Sequence, residues 1–145
     1  MTELYVLGWR EWASLPDLGI KAIKVKVDTG AKTSSIHTFK MEFFQKNDED
    51  WVRFWIHPKQ RNEKDIHVCE AKIVDRRSVS DSGGHVEERI VIETHIRIGE
   101  TLWPIELNLT NRDSMKFRML LGRTAMVSRF VVNPALSYQR GGRPS

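Results

Sequence analysis

The most chemically distinctive feature of this sequence is an aspartate placed where an apolar strand runs into a glycine turn. Ile23, Lys24, Val25, Lys26 and Val27 alternate apolar and charged residues, the period of a half-buried strand. Asp28, Thr29 and Gly30 follow at once, and a glycine at that point lets the backbone turn sharply and approach a ligand closely. Taken alone, such a triplet is more often a plain turn than a site. Later in the chain Met119-Leu120-Leu121-Gly122-Arg123 forms a second apolar run, ending in Gly-Arg. Other chemistries find less support. None of His37, His57, His67, His85 and His95 stands in the His-Glu-x-x-His spacing of a zinc peptidase. His67 and Cys69 would share one face of a strand, but two ligands make no site, so no metal is expected. No Gly-rich loop ends in Lys-Ser or Lys-Thr as a nucleotide-phosphate cradle does, and no cofactor is expected. Trp9 and Trp12, three residues apart near the N-terminus, read as core or interface packing before they read as a ligand platform.

Strands must position these residues. Phe39 to Phe44 and Trp51 to Ile56, rich in aromatic and β-branched residues, flank the polar stretch Lys46 to Asp50 as in a hairpin. Ile66 to Val74 and Val86 to Arg97 read as a second pair. Between them lies a turn-forming cluster, Ser78-Val79-Ser80-Asp81-Ser82-Gly83-Gly84. Alternation continues through Ile96, Ile98, Leu102, Ile105, Leu107 and Leu109 around a Gly99-Glu100 turn. Only Gly122 to Arg129 reads as helical, and briefly. Many short strands with no room for βαβ crossovers predict an all-β closed barrel or sandwich with one short C-terminal helix.

With 145 residues, 40% hydrophobic and 29% charged, the chain is of one-domain size and needs neither disulfide nor structural metal to build a core. That domain is expected over 1–139, with 140–145 as a flexible basic tail. The lone cysteine, Cys69, cannot form an internal bridge. Glu3, Arg10 and Glu11 interrupt the run from Met1 to Pro16, which has no apolar stretch of signal-peptide or membrane-span length. A cytoplasmic location is therefore expected. The net charge of +4 is interleaved with acidic residues along the chain, which reads as a solvated surface, with neither nucleic acid nor membrane as a partner.

Val25 and Val27 running into Asp28-Thr29-Gly30-Ala31, together with Leu120 and Leu121 before Gly122 and Arg123, resemble the retroviral-type aspartic peptidases. A resemblance covering nearly the whole chain is to the RimB-like family. It is carried by Gly8-Trp9-Arg10-Glu11-Trp12, Leu15-Pro16, the run from Asp28 to Ser35, Arg112 to Met115, and Met119 to Arg123. Members of that family often bear the label of ATP-dependent zinc protease, which fits poorly with the missing phosphate loop and zinc motif. Some are encoded beside an ATP-grasp glutamate ligase that modifies a ribosomal protein.

The resemblance implies a retropepsin-like closed barrel acting as a homodimeric aspartic endopeptidase on a peptide or protein. In that class two aspartates face each other and share one proton. The charged one takes a proton from water, which attacks the peptide carbonyl, while its partner donates to the developing oxyanion. Asp28, Thr29 and Gly30 would form the catalytic turn, with Thr29 bracing the pair through its hydroxyl. Ala31, Lys32, Thr33, Arg112 and Arg123 would contact substrate, along with Ser82, Gly83 and Gly84 at the tip of a flap running from Arg77 to Glu88. Asp81-Ser82-Gly83 lacks both an apolar strand before it and a following apolar pair with Gly-Arg. The second aspartate is therefore expected from a second copy of the chain. Two alternatives stand beside this reading. One is a non-catalytic module of the same fold, holding an acidic tail or an ATP-grasp glutamate ligase partner through Lys32, Arg112 and Arg123. The other is a zinc hydrolase.

Overall fold

Alternating burial along successive segments builds a protein made of strands. The computed structural model describes residues 4–60, 62, 64–80, 83–84, 86–111 and 116–144. Its largest sheet holds β2 (Arg10–Leu15), β3 (Ile20–Asp28), β4 (Ser34–His37), β8 (Asp75–Ser80), β9 (Val86–Ile98), β10 (Thr101–Thr110) and β11 (Met119–Gly122), in the order β10-β4-β11-β3-β2-β9-β8. An additional β9–β10 pairing joins the sheet to itself, so all of these strands except β8 form a ring. The ring is thick at β9–β10, where pairing runs from Ile98↔Thr101 to Ile90↔Leu109, and thin at β2–β9, where Ser14↔Arg97 is the register pair.

The inside of the ring is filled by one side of each strand. Ile23, Val25 and Val27 of β3, Ile90, Ile92, Ile96 and Ile98 of β9, and Trp103, Ile105, Leu107 and Leu109 of β10 are all buried. Burying each such side chain contributes about 1.5–3 kcal/mol. Thr94 interrupts the row between Ile92 and Ile96. It is 2% exposed and its Oγ1 has no hydrogen-bond partner among the described residues. Replacing it with the isosteric valine removes that unpaired hydroxyl. Thr94→Val is expected to raise stability by about 1 kcal/mol, read from the urea unfolding midpoint.

A second sheet orders β5 (Lys40–Lys46), β6 (Glu49–Ile56) and β7 (His67–Lys72), all antiparallel, and packs Val52, Phe54, Ile56, Cys69 and Ala71 against the core. Its first hairpin turns on Asn47 and Asp48, whose φ angles of 53° and 62° match a two-residue loop with both central residues left-handed. The hairpin predicted from Phe39 to Ile56 is thus present. β1 (Tyr5–Leu7) and β12 (Phe130–Val132) pair in parallel as a separate ribbon.

Two expectations are corrected. Ile66 to Val74 does not pair with Val86 to Arg97. Its strand, β7, belongs to the second sheet, and β9 pairs instead with β8, which includes residues assigned to the turn. Alternation reveals a strand but not its neighbour. The short helix predicted over Gly122 to Arg129 is a 3₁₀ turn at Arg123–Ala125, after which the chain leaves helical geometry at Ser128, φ 66°. Among the described residues no helix is long and apolar enough to cross a membrane.

β2 carries a charged residue at an inward position. Glu11 is fully buried, and its carboxylate accepts the backbone N–H groups of Gly8 at 2.7 Å, Gln139 at 2.9 Å and Arg140 at 3.0 Å. Several donors compensate a buried charge that would otherwise be expensive. They also tie residues 139 and 140 to β2.

Candidate active site

Asp28 ends β3 at a point held from both sides. On one side β11 runs parallel to β3 with Gly122 opposite Asp28; on the other, the N–H of Val27 donates to the Trp9 carbonyl at 2.8 Å. Beyond β11, antiparallel to it, lies β4. The chain then turns tightly. Gly30 donates its N–H to Asp28 Oδ1 at 3.0 Å, and Ala31 donates to the Asp28 carbonyl at 3.2 Å. One carboxylate oxygen is thereby oriented by the backbone, while Oδ2 has no hydrogen-bond partner among the described residues. Asp28 is half-buried, with Thr29 and Gly30 exposed beside it.

The chain after the turn is fastened to the chain after β11. The Ala31 carbonyl accepts the Arg123 N–H at 2.8 Å and the Lys32 carbonyl accepts the Thr124 N–H at 3.1 Å. The Arg123 guanidinium reaches back to the carbonyls of Thr29 and Gly30 at 3.4 and 3.2 Å. Ser34, fully buried, accepts the Gly122 N–H on its Oγ at 3.0 Å. The two motifs singled out in the sequence are therefore one unit, and Asp28, Thr29, Gly30, Ala31, Lys32, Thr33 and Arg123 are brought together. Arg123 makes hydrogen bonds to the turn's own carbonyls, whereas Lys32 is exposed. Gly83 and Gly84 are exposed in the connection between β8 and β9, with Gly84 at φ 82°. Ser82 and Arg112 lie outside the described residues.

Ser34 and Trp9 also hold the site; both stand in stretches that carry the family resemblance, but their residue types do not mark that role. One is a serine in a polar run and the other an aromatic near the N-terminus, and their importance comes from bonds made far along the chain. His67 and Cys69 do share a strand face. Both turn toward the Leu18 carbonyl, with His67 Nε2–H donating at 2.8 Å and the Cys69 thiol at 3.7 Å. Burial pushes the Cys69 thiol up to about 12. Both groups act as donors there, and among the described residues no three His, Cys, Asp or Glu side chains gather as a metal site would require.

A ring of strands with an aspartate turn braced by a following Gly-Arg segment defines an aspartic-peptidase-like fold. A family model described as RimB-like, retropepsin-like aspartic endopeptidase RimB, matches residues 6–142, and the chain belongs to the RimB-like family. Among related proteins, a probable alpha-L-glutamate ligase of Desulfotalea psychrophila is 46% identical over 136 residues, covering 94% of this chain and 29% of that protein. A probable alpha-L-glutamate ligase of Shewanella halifaxensis is 47% identical over 137 residues, covering 94% of this chain and 30% of that protein. The chain thus spans less than a third of the length of these curated relatives. The crystal structure of Lpg0085, a protein of unknown function from Legionella pneumophila, superposes with a TM-score of 0.80. Its sequence identity is 27%, with 95% of this chain and 99% of that one covered.

Proposed function

We propose that the protein is a homodimeric aspartic endopeptidase in which Asp28 of each copy activates water for peptide-bond hydrolysis. The observation that carries this reading is the Asp28 turn, a carboxylate fixed through Oδ1 by the Gly30 N–H at 3.0 Å on an open surface. Two such carboxylates facing across a two-fold axis hold one proton between them, since both cannot stay charged at close range. The ionised member takes a proton from the attacking water, and the protonated member donates to the carbonyl oxygen as it becomes an oxyanion. The Thr29 hydroxyl braces the pair. Ala31, Lys32 and Thr33 line the approach of the substrate, with the β8–β9 connection at Gly83 and Gly84 as its cover. Arg123 keeps the turn in shape from below.

A second reading draws on the relatives named as glutamate ligases, in which a unit like this one is less than a third of the protein. In that reading the chain is a non-catalytic module serving a ligase, and Lys32, Arg112 and Arg123 hold an acidic segment. The two separate on one experiment: solution mass, with incubation against an unfolded protein from acidic to neutral pH. Dimers that cleave, favoured on the acidic side, support the peptidase. A monomer without cleavage transfers the assignment to the module.

A further inference from the structure

The Gly8-Trp9-Arg10-Glu11-Trp12 stretch is held between the C-terminal segment and the strand that carries Asp28. On one side residues 133–140 run along it. Asn133 donates its N–H to the Leu7 carbonyl at 2.9 Å, Trp9 donates to the Leu136 carbonyl at 2.8 Å, and Tyr138 donates to the Arg10 carbonyl at 3.0 Å. The approach is close enough that a Cβ on Gly8 would collide with the Leu136 carbonyl. Side chains repeat the contact. Arg10 Nε donates to Ser137 Oγ at 3.2 Å, the Arg10 guanidinium lies over the rings of Trp9 and Tyr138, and Trp12 stacks on Tyr138. On the other side is β3, where Lys26 and Val25 pair with Arg10 and Glu11, and Val27 donates its N–H to the Trp9 carbonyl.

Glu11 is where these segments meet. It is fully buried, and main-chain N–H groups meet both its oxygens, Gly8 and Gln139 at Oε2 and Arg140 at Oε1. The next inward positions of the strand, Ala13 and Leu15, are apolar. A charge in such a place costs desolvation that an apolar residue would not incur, and what it gains is a fixed position for the N–H groups it collects. One of those groups leads to the site. Gly8 directly precedes Trp9, the Trp9 carbonyl holds the N–H of Val27, and Val27 directly precedes Asp28. The C-terminal segment and the Asp28 turn are thus joined by a short path of main-chain bonds that starts at one carboxylate.

Resting on the reading of Asp28 as the reacting carboxylate, we propose that Glu11 is a positioning residue. It locks the C-terminal segment onto Gly8 and Trp9 and, through the Trp9 carbonyl, sets the end of β3 from which Asp28 is presented. Glu11→Gln tests it. Glutamine keeps the shape but turns one acceptor oxygen into a donor, so at least one of the N–H groups of Gly8, Gln139 and Arg140 loses its acceptor. Amide hydrogen exchange followed by NMR shows where the loosening goes, without any need for activity. Gly8, Gln139 and Arg140 exchange faster whether or not the loosening spreads. The proposal requires that Val27 and Ala31, bonded to the Trp9 and Asp28 carbonyls, also exchange about 10-fold faster, while Phe39 and Ile73, bonded to the Trp55 and Asp50 carbonyls of the second sheet, keep wild-type rates. Acceleration confined to Gly8, Gln139 and Arg140, or equal at every amide, would overturn it. Peptide release gives a second readout, with kcat expected to fall about 10-fold and KM to stay within about twofold of wild type, because the reacting carboxylate shifts while the substrate's contacts remain. An unchanged kcat in an active protein would overturn the proposal too. A wild-type protein without Asp28-dependent hydrolysis would remove the peptidase reading and leave amide exchange to decide the role of Glu11 at the turn. Should Glu11→Gln fail to fold, Arg140→Pro, which deletes one donor and leaves the carboxylate in place, is judged at Val27 and Ala31 in the same way.

Discussion

Asp28→Asn is expected to yield a folded protein with the wild-type mass in solution and peptide hydrolysis lowered by about 10²–10⁴-fold, the usual worth of a positioned general acid–base group. Asparagine has the shape of aspartate, and its Oδ1 can still accept the Gly30 N–H that closes the turn. The turn's main-chain bonds, from Ala31 to the Asp28 carbonyl and from Arg123 to the Ala31 carbonyl, do not involve the altered atom. Stability should therefore change by less than about 1 kcal/mol, in the range of substitutions that create no cavity and strand no buried charge. What is lost is the group that takes the proton from water. Paired measurements of mass and of peptide release give the result. Retained cleavage by Asp28→Asn would remove Asp28 from the chemistry and with it the peptidase reading.

Gly122→Ala is expected to be the more damaging change to the fold. Gly122 has φ −85° and ψ 167°, ordinary extended backbone that alanine adopts without strain. Its constraint is space. A Cβ at this position would stand 2.5 Å from the carbonyl carbon of Thr33 and 2.8 Å from the nitrogen of Ser34. Both are main-chain atoms, and Ser34 is fully buried, so no flexible side chain can yield. Relief requires β11 to separate from the chain leading into β4, which stretches the bond from Gly122 N–H to Ser34 Oγ and shifts the residue opposite Asp28. Overpacking of this kind costs about 3 kcal/mol, here against backbone on both contacts. The melting temperature should fall by about 10 °C. Hydrolysis should fall further than the loss of folded protein explains, because the displaced strand carries the turn. A Gly122→Ala protein with wild-type melting and activity would show that the strands at this point have room the contacts deny.

Much of the site was legible because it rests on local pattern. The alternation from Ile23 to Val27 marks β3, and a glycine two residues after the aspartate marks the turn. Where the reading failed, a long-range partner had changed the meaning of a residue. β2 buries Glu11, Ala13 and Leu15 in strict alternation. The pattern is hidden in the sequence because the first inward residue is charged, and that charge is tolerable only through N–H groups from Gly8, Gln139 and Arg140. β4 is buried along its whole length although it includes two serines and a histidine. Its polar groups find partners across the ring, as Ser34 does with Gly122 and His37 does through its N–H to the Arg118 carbonyl. Such a stretch looks like a loop when only its own residues are visible.

Local sequence was sufficient for strand character over much of the chain and for the Asp28-Thr29-Gly30 turn, because period-two burial and turn preference act between near neighbours; the link from that turn to Gly122-Arg123 came from the family resemblance. Tertiary structure alone decided which strands pair, that Arg123 holds the carbonyls of Thr29 and Gly30, that Ser34 and Trp9 support the site, and that Glu11 gathers the N–H groups of Gly8, Gln139 and Arg140. Each of these depends on contacts between residues distant in sequence, whose hydrogen bonds and burial exist only once the ring has formed.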